Sequence, residues 1–453
     1  MSLIDEIKIV EIKRDRYARE STFTNGRIKI QCPANGIGLR SKKDLETFIK
    51  LRLNFPTERL GFCIVSLANA DRTFIEMQKT LNDEKHKLAP TAEGRQLKMF
   101  QNQTFLAVEP ATERTYYYQK DECDKLLASL ESPNFIKEII IEIKQKLTQY
   151  DSGRSQEFQD WKINFMEEKW LELSADPIRL NELVNDNFDS QNRCQASIQI
   201  PPTPPLVKRS LFYVSTKIIE RATVKAKSNT AVYFNMPFSI LKDEDFRQQI
   251  LNYCEKSTNK IIILKIHDLD NMLDPDKEDQ RQAFSEIQEK MCELRKNNKF
   301  TILLEGGKLT FPSLVRGFDI VTNHIAGKNK KGGPPNKKRQ PTELIGFRQY
   351  FIKEKQIFYQ YPKMITYTQN HLILTNGEHG LKCSLPCCKD VKSIDDLPRD
   401  IWNNSIVRPH YCLTINEMAK EISRLINENK IQDAKNILLL SELCVLKHLI
   451  PDV

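Results

Sequence analysis

The sequence has 453 residues, 40% of them hydrophobic and 28% charged, which is too long for one small module and sufficient for a large globular core. This composition excludes a collagen-like or broadly disordered protein. The net charge of +9, from 69 basic and 60 acidic residues, is compatible with a polyanionic partner.

No segment has the pattern of a signal peptide or a membrane span. The opening MSLIDEIKIVEIKRD lacks an apolar core, and no run of about 18 uncharged apolar residues occurs anywhere. We therefore predict a cytoplasmic protein with no membrane partner. Most of the eleven cysteines are isolated and are predicted to be buried thiols, whereas four lie between residues 383 and 412.

Short apolar segments of strand length recur along the chain, and most are followed by charged segments of helical periodicity. After a turn signal at Asn25-Gly26, these segments lie at 62–67, 105–108, 197–200, 232–234, 261–264, 301–304 and 319–321. Strands that alternate with helices indicate a parallel sheet. We predict an α/β fold, a closed (β/α)₈ (TIM) barrel, with a doubly wound sheet as the alternative.

The predicted barrel covers residues 1–380, with a helical insertion at about 70–190 that includes the Ile-rich helix 134–147. A basic, Gly- and Pro-containing loop at 324–340 interrupts the barrel. Phosphate contacts in a nucleic-acid interface are expected from its basic residues. These residues are Lys328, Lys330, Lys331, Lys337, Lys338 and Arg339.

Residues 381–453 are predicted to form a zinc-binding helical subdomain. Cys383, Cys387 and Cys388 are followed, 22 residues after Cys388, by His410. Three thiols and an imidazole form a tetrahedral shell that suits a structural Zn²⁺. Cys412 competes for one of the sulfur positions, and an accidental cluster of cysteines is the alternative.

Three further segments are candidate substrate contacts. Asp151-Ser152-Gly153 with Gln156 combines a carboxylate with backbone N–H groups open to a ligand, although an ordinary turn has the same composition. Gln199 precedes a proline-rich loop at the end of a strand, where barrel enzymes bind substrate, and an ordinary connection is the alternative. Gly306 and Gly307 end another strand.

Chemistry at a glycosidic bond requires two acidic groups, one that attacks or stabilises the sugar carbon and one that transfers a proton. The candidates near the ends of strands are Asp319, Glu305, His267 and Asp268. Each of them alone is also compatible with a solvated or structural role.

The order of these segments resembles the tRNA-guanine transglycosylase superfamily, including its divergent DNA-guanine transglycosylase branch. The resemblance extends from Thr24–Ala34 through Asp151-Ser-Gly-x-x-Gln156, which matches the DSGxxQ motif, and a strand end similar to DIPTPP at Ile200–Pro205. It continues through Leu314–Val321, similar to GVDxFD, to the cysteine cluster and His410.

This resemblance implies exchange of guanine for a 7-deazaguanine in nucleic acid, and we favour DNA over tRNA as the substrate. It assigns proton transfer to Asp151 and base contact to Gln199, and because the family's attacking acid is replaced here, we predict that Asp319 or another acid is recruited as the nucleophile. Thr322 occupies the place of the family's attacking aspartate, and Gln199 that of its base-recognising aspartate.

These two departures support the main alternative, a non-catalytic nucleic-acid-binding subunit that pairs with an active transglycosylase. A glycosidase or nuclease on the same barrel is a third possibility. The resemblance also implies a homodimer or heterodimer.

Overall fold

The computed structural model describes most of the chain between residues 8 and 433. The described residues are 8–14, 19–24, 28–39, 42–54, 61–66, 103–112, 123–124, 127–128, 133–150, 155–226, 229–267, 269, 278–324, 349–352, 357–360, 385–388, 406–428, 430 and 432–433. Among the helices in these ranges, none is long and apolar enough to cross a bilayer.

A parallel sheet of seven strands is the centre of the fold. In chain order its strands are β4 (Ala34–Leu39), β5 (Phe62–Ser66), β6 (Phe105–Glu109), β7 (Ala231–Pro237), β8 (Ile261–His267), β9 (Phe300–Leu304) and β10 (Ile320–His324). Their order across the sheet is β6-β5-β4-β10-β9-β8-β7. The predicted α/β class with a parallel sheet is confirmed.

Two antiparallel sheets complete the described strands. β1 (Lys8–Arg14), β2 (Arg19–Thr24) and β3 (Lys29–Cys32) form a three-stranded sheet that leads directly into β4. β11 (Gln349–Ile352) and β12 (Ile357–Gln360) form a hairpin-like pair. The parallel sheet is therefore preceded by an antiparallel sheet, as Asn25-Gly26 between β2 and β3 predicts.

A short segment at residues 197–200 contacts both edge strands of the parallel sheet. Ile198 forms a parallel bridge with Ala107 of β6, and Gln199 forms one with Thr230, just before β7. The backbone N–H of Ser197 donates to Leu106 O (2.7 Å), and that of Ala231 donates to Gln199 O (3.0 Å). The two edges of the sheet are thus joined through this one segment.

The two faces of the sheet bury different sets of apolar side chains. One face contributes alternate residues from every strand and from the joining segment to a single cluster that includes Phe62, Phe105, Ile198, Ile263 and Ile302. The other face packs against helices and belongs to a larger cluster. Continuous apolar strands arise because both faces of each strand are buried.

Within the described ranges, ten α-helices pack around the sheet. They are α1 (Lys42–Asn54), α2 (Asn134–Leu147), α3 (Gln156–Ala175), α4 (Pro177–Arg193), α5 (Ser210–Ala226), α6 (Phe238–Leu241), α7 (Glu244–Lys256), α8 (Glu278–Lys296), α9 (Thr310–Arg316) and α10 (Arg408–Asn427). Local signals set several starts, because Ser155, Asp176 and Asp243 accept hydrogen bonds from first-turn N–H groups of α3, α4 and α7. α10 packs against β4, where Asn35 N donates to Asn416 Oδ1 (3.3 Å).

Candidate functional site

Charged and polar side chains gather at the carboxyl ends of the parallel strands. Glu109 is the last residue of β6, Lys265 lies two residues before the end of β8, and Glu305 directly follows β9. Lys265 Nζ lies 2.7 Å from Glu109 Oε1 and 3.7 Å from Glu305 Oε1. Tyr233 of β7 donates its hydroxyl to the same Glu109 Oε1 (2.7 Å). The carboxyl ends of such strands are where parallel α/β folds bind ligands.

The ammonium group of Lys265 is buried, with only 3% of its side chain exposed. A buried cation is tolerated when carboxylates and hydrogen bonds replace its water. Glu109 and Glu305 supply that compensation, and their own exposed fractions are 11% and 24%. Two carboxylates therefore share one cation within a mostly desolvated space, the arrangement in which charges interact most strongly.

Asn235 and His267 complete this group, which we call the strand-end cluster: Glu109, Tyr233, Asn235, Lys265, His267 and Glu305. Asn235 lies on the same face of β7 as Tyr233, two residues nearer the strand end. Its Oδ1 is 2.6 Å from His267 Nε2. Both residues are more than nine-tenths buried.

Glu305 has a left-handed backbone conformation, with φ of 58°. This region is costly for a residue with a side chain, and such outliers concentrate at functional sites. The turn is held by β10: Glu305 N donates to Thr322 Oγ1 (3.0 Å), Gly306 N to Thr322 O (3.0 Å) and Gly307 N to Asn323 Oδ1 (3.0 Å). The carboxylate of Glu305 is therefore aimed by a rigid turn.

The predicted contacts at Gly306 and Gly307 have a structural explanation. A Cβ atom on Gly306 would lie 2.2 Å from Val321 Cγ1, and Gly307 has φ of 56°. The N–H groups of both glycines donate hydrogen bonds within the protein, to Thr322 O and Asn323 Oδ1. The glycines allow the turn to pack closely on β10, and their N–H groups are not available to a substrate.

Asp319 lies at the opposite end of the sheet from the strand-end cluster. It immediately precedes β10 and is completely buried. Its Oδ1 is 3.1 Å from Arg295 Nε of α8, and its Oδ2 accepts a hydrogen bond from Thr301 N (2.9 Å). This position joins α8 to the sheet and does not support the predicted role of Asp319 as a substitute nucleophile.

Gln199 also faces away from the strand-end cluster. Ile198 and Ile200 belong to the inner apolar cluster, so Gln199 between them points to the helical layer, where its Nε2 donates to Asn192 Oδ1 of α4 (2.9 Å). The base contact inferred for Gln199 is not supported by this geometry. Gln156 begins α3 and donates to Asp160 Oδ1 (2.8 Å) on the exposed face of that helix.

Several predicted residues lie outside the described part of the chain. They are Asp151, Ser152, Gly153, Asp268, Cys383 and the basic residues Lys328, Lys330, Lys331, Lys337, Lys338 and Arg339.

Cys387, Cys388 and His410 form a buried group that could hold a metal ion. Their ligand atoms all lie within 4.8 Å of one another, with Cys387 Sγ 3.5 Å from Cys388 Sγ and Cys388 Sγ 3.4 Å from His410 Nδ1. Cys412, one further candidate, lies on α10 but outside this group. Burial raises the pKa of its thiol to about 12, partly offset by Arg408.

Sequence reasoning named His267 and Glu305 but missed Glu109, Tyr233, Asn235 and Lys265. Glu109 carried a usable signal, because it is an acid that directly follows the apolar segment 105–108. Lys265 carried a weaker one, since it is a charged residue within an otherwise apolar strand.

The sequence matches no protein-family model and no curated protein.

Proposed function

We propose that the parallel sheet and segment 197–200 together form a closed (β/α)₈ barrel. The segment supplies the eighth strand between β6 and β7, and α10 supplies the final helix against β4. One apolar cluster takes alternate residues from all seven strands and from Ile198 and Ile200, as the interior of a small barrel does.

We further propose that the barrel is a divergent guanine transglycosylase that exchanges guanine for a 7-deazaguanine in nucleic acid, with DNA favoured over tRNA. The observation that carries this proposal is the pair of carboxylates, Glu109 and Glu305, around Lys265 at the strand ends. Cleavage of an N-glycosidic bond needs one carboxylate at the sugar carbon and a second group that carries a proton.

In the proposed reaction, Glu109 attacks C1′ of the nucleoside, the bond from C1′ to the base breaks, and guanine leaves. Glu305, the more exposed acid, takes up a proton from solvent when the nucleoside binds and delivers that proton to the leaving base. It then accepts the proton of the incoming 7-deazaguanine as that base attacks C1′ and releases Glu109. Lys265 and Tyr233 hold the carboxylate of Glu109 in position throughout.

Zinc is the metal that we propose for the buried group at the start of α10. Two thiols and an imidazole are soft and borderline donors that fit Zn²⁺, and Cys383 supplies the fourth ligand in this proposal. A site closed by four protein ligands stabilises the fold and leaves no position for a reactive water.

The second candidate function is a nucleic-acid-binding subunit without activity of its own. Thr322 supports it, because its hydroxyl is occupied by Glu305 N at the place where the resembled family has its attacking acid.

A base-exchange assay with the isolated chain tests the proposal. Radiolabelled guanine is supplied with duplex DNA or tRNA, and incorporation is measured for the wild type, Glu109→Gln and the control Glu138→Gln. We expect Glu109→Gln to lower exchange by about 10²–10⁴-fold, whereas Glu138, an exposed residue paired with Arg179, is dispensable.

Full activity of Glu109→Gln would refute the assignment. Asp151→Asn, measured in parallel, tests the acid that the resemblance suggests. Salt-sensitive nucleic-acid binding with no incorporation in the wild type would support the subunit and exclude the enzyme.

A further inference from the structure

Lys265 places a primary amine between two carboxylates near the carboxyl end of β8. Its Nζ lies 2.7 Å from Glu109 Oε1 and 3.7 Å from Glu305 Oε1, and its side chain is 3% exposed. The residues that precede it on the same face of β8, Ile261 and Ile263, are apolar and belong to the inner cluster. A buried ion pair adds little net stability compared with apolar side chains of similar size, so packing alone does not account for a lysine here.

The surroundings of Lys265 provide what an amine needs to react with a carbonyl group. At rest the two carboxylates favour the ammonium form, whereas only the neutral amine attacks a carbonyl carbon. Glu109, in hydrogen-bond contact with Nζ, can take up the proton directly. The transfer leaves two neutral groups, which a buried site tolerates. Lys265 and Glu109 therefore combine a nucleophile with its base, which is the arrangement of imine-forming lysines.

We propose that Lys265 forms an imine with aldehydes, and that its substrate is the aldehyde form of a base-free sugar in nucleic acid. The identity of the sugar rests on the proposed function. Release of the sugar from Glu109 by water leaves a hydroxyl group on C1′, and the sugar ring then opens to an aldehyde at that carbon. A C1′ atom that has been bonded to Glu109 lies beside Lys265, because Nζ is 2.7 Å from Glu109 Oε1.

Groups of the protein alone balance the proposed step. Glu109 takes one proton from the ammonium group, and the lone pair of Nζ forms a bond to C1′ while the π electrons of the C=O bond move to oxygen. A proton passes from Nζ to that oxygen, and Glu109 returns its own proton as the C–O bond breaks and water leaves. The product is a protonated imine, which keeps one positive charge beside Glu109 and Glu305, as the lysine did.

Reductive trapping tests this inference without any base exchange. A duplex oligodeoxynucleotide with one base-free deoxyribose is incubated with the whole chain and sodium cyanoborohydride, which reduces an imine to a stable amine. Gel electrophoresis measures the conjugate, and peptide mass spectrometry of the wild-type conjugate identifies the lysine that carries the sugar. In the control oligonucleotide a tetrahydrofuran residue replaces the sugar, because it lacks the C1′ hydroxyl and cannot open to an aldehyde.

The variants are Lys265→Arg, which keeps the positive charge but not the reactive amine, and Glu109→Gln, which removes the base. Lys299→Arg is the matched control, because Lys299 is a buried lysine directly before β9, at the opposite end of the sheet. We expect the wild type and the control to form at least about 10-fold more conjugate than Lys265→Arg or Glu109→Gln. Thermal melting establishes that each variant is folded.

A conjugate spread over exposed lysines, with equal yield from the wild type and Lys265→Arg, would overturn the inference, as would the absence of any conjugate with the base-free duplex. The proposed function fails separately. A chain that traps the sugar on Lys265 but incorporates no guanine into DNA or tRNA keeps the imine chemistry and loses the exchange reaction, whereas exchange without trapping refutes the imine alone.

Discussion

Glu305 combines a strained backbone with a charged side chain at the strand ends. Left-handed backbone costs an L-residue roughly 1–2 kcal/mol relative to glycine. Its φ of 58° is fixed by two hydrogen bonds to Thr322. Glu305 N donates to Thr322 Oγ1, and Gly306 N donates to Thr322 O. Glycine at this position would adopt the same φ at lower cost, so the protein is less stable with glutamate here. The glutamate places a carboxylate near Lys265 at the expense of that stability.

Replacement of Glu305 by glycine should relieve this strain. We expect Glu305→Gly to be about 1 kcal/mol more stable than Glu305→Ala, because both lack the carboxylate and only alanine keeps the unfavourable φ. Urea denaturation measures the difference. Asn298, with φ of 59° after α8, provides a control pair, Asn298→Gly and Asn298→Ala, of the same expected sign. Equal stabilities of the two Glu305 variants would show that the turn is unstrained.

Single residues of the site were predictable where a polar residue lies at the end of an apolar strand or directly after it. His267 and Glu305 met that criterion, and Glu109 met it without being named. Asn235 and Lys265 lie inside strands, where successive side chains point to opposite faces of the sheet. Whether these two side chains point to the inside depends on which set of alternate residues faces inward. That choice is set by contacts between distant strands, which one sequence does not encode locally.

Among the helices, α3 contains a buried cation away from the strand-end cluster. Lys162 is 1% exposed, and its ammonium group lies 5.7 Å from the centre of the Phe158 ring. Burial lowers the pKa of Lys162 to about 8, an effect that the nearby Cys123 partly opposes. The folded state therefore disfavours the charged form of this lysine, whereas the unfolded chain titrates near its ordinary value.

Stability should consequently depend on pH through Lys162. Below pH 8 both states are protonated and the penalty is fully present; between about pH 8 and 10.5 the folded state loses its proton first, so the free energy of unfolding rises. We expect a gain of up to about 3 kcal/mol for the wild type relative to Lys162→Met across this range. Urea denaturation at several pH values measures it.

Lys169→Met serves as the control for this pH dependence, because Lys169 lies on the same helix but is partly exposed and paired with Glu142. This variant should keep the pH dependence of the wild type. A difference between wild type and Lys162→Met that stays constant with pH would mean that Lys162 titrates normally.

Apolar runs predicted β5 to β10 of the parallel sheet, whereas β4 (Ala34–Leu39) was not among the predicted segments. The apolar pattern of segment 197–200 predicts a strand, and the structure gives it two isolated β-bridges, with Gln199 directed towards the helical layer. Ile198 and Ile200 point to the same side of the segment, and both belong to the apolar cluster on the inner face of the sheet. The role of the segment in joining β6 to β7 depends on pairings 31 and 91 residues apart, which local patterns do not specify.

At the scale of the whole molecule, hydrogen bonds connect α10, the helix that carries His410 of the candidate metal group, to the centre of the sheet. His410 lies in the first turn of α10, and Asn416 on the same helix accepts from Asn35 N of β4. Asn35 Oδ1 in turn accepts from Asn323 Nδ2 of β10 (2.7 Å). β4 and β10 are neighbouring inner strands, so α10 is part of the structural core of the sheet.

A metal bound at Cys387, Cys388 and His410 should therefore stabilise the whole sheet. We expect purified protein to contain about one equivalent of zinc and a chelator to lower the main unfolding transition without creating a separate one. Metal at 100 times its dissociation constant contributes about 2.7 kcal/mol. Elemental analysis and calorimetry provide the measurements.

Two variants serve as tests of this metal prediction. His410→Ala should melt at the temperature of the chelator-treated wild type, whether or not chelator is present. Glu417→Gln, a change at an exposed residue of α10, should respond to chelator as the wild type does. A chelator-sensitive transition confined to a minor fraction of the unfolding enthalpy would instead make the C-terminal helix an independent unit.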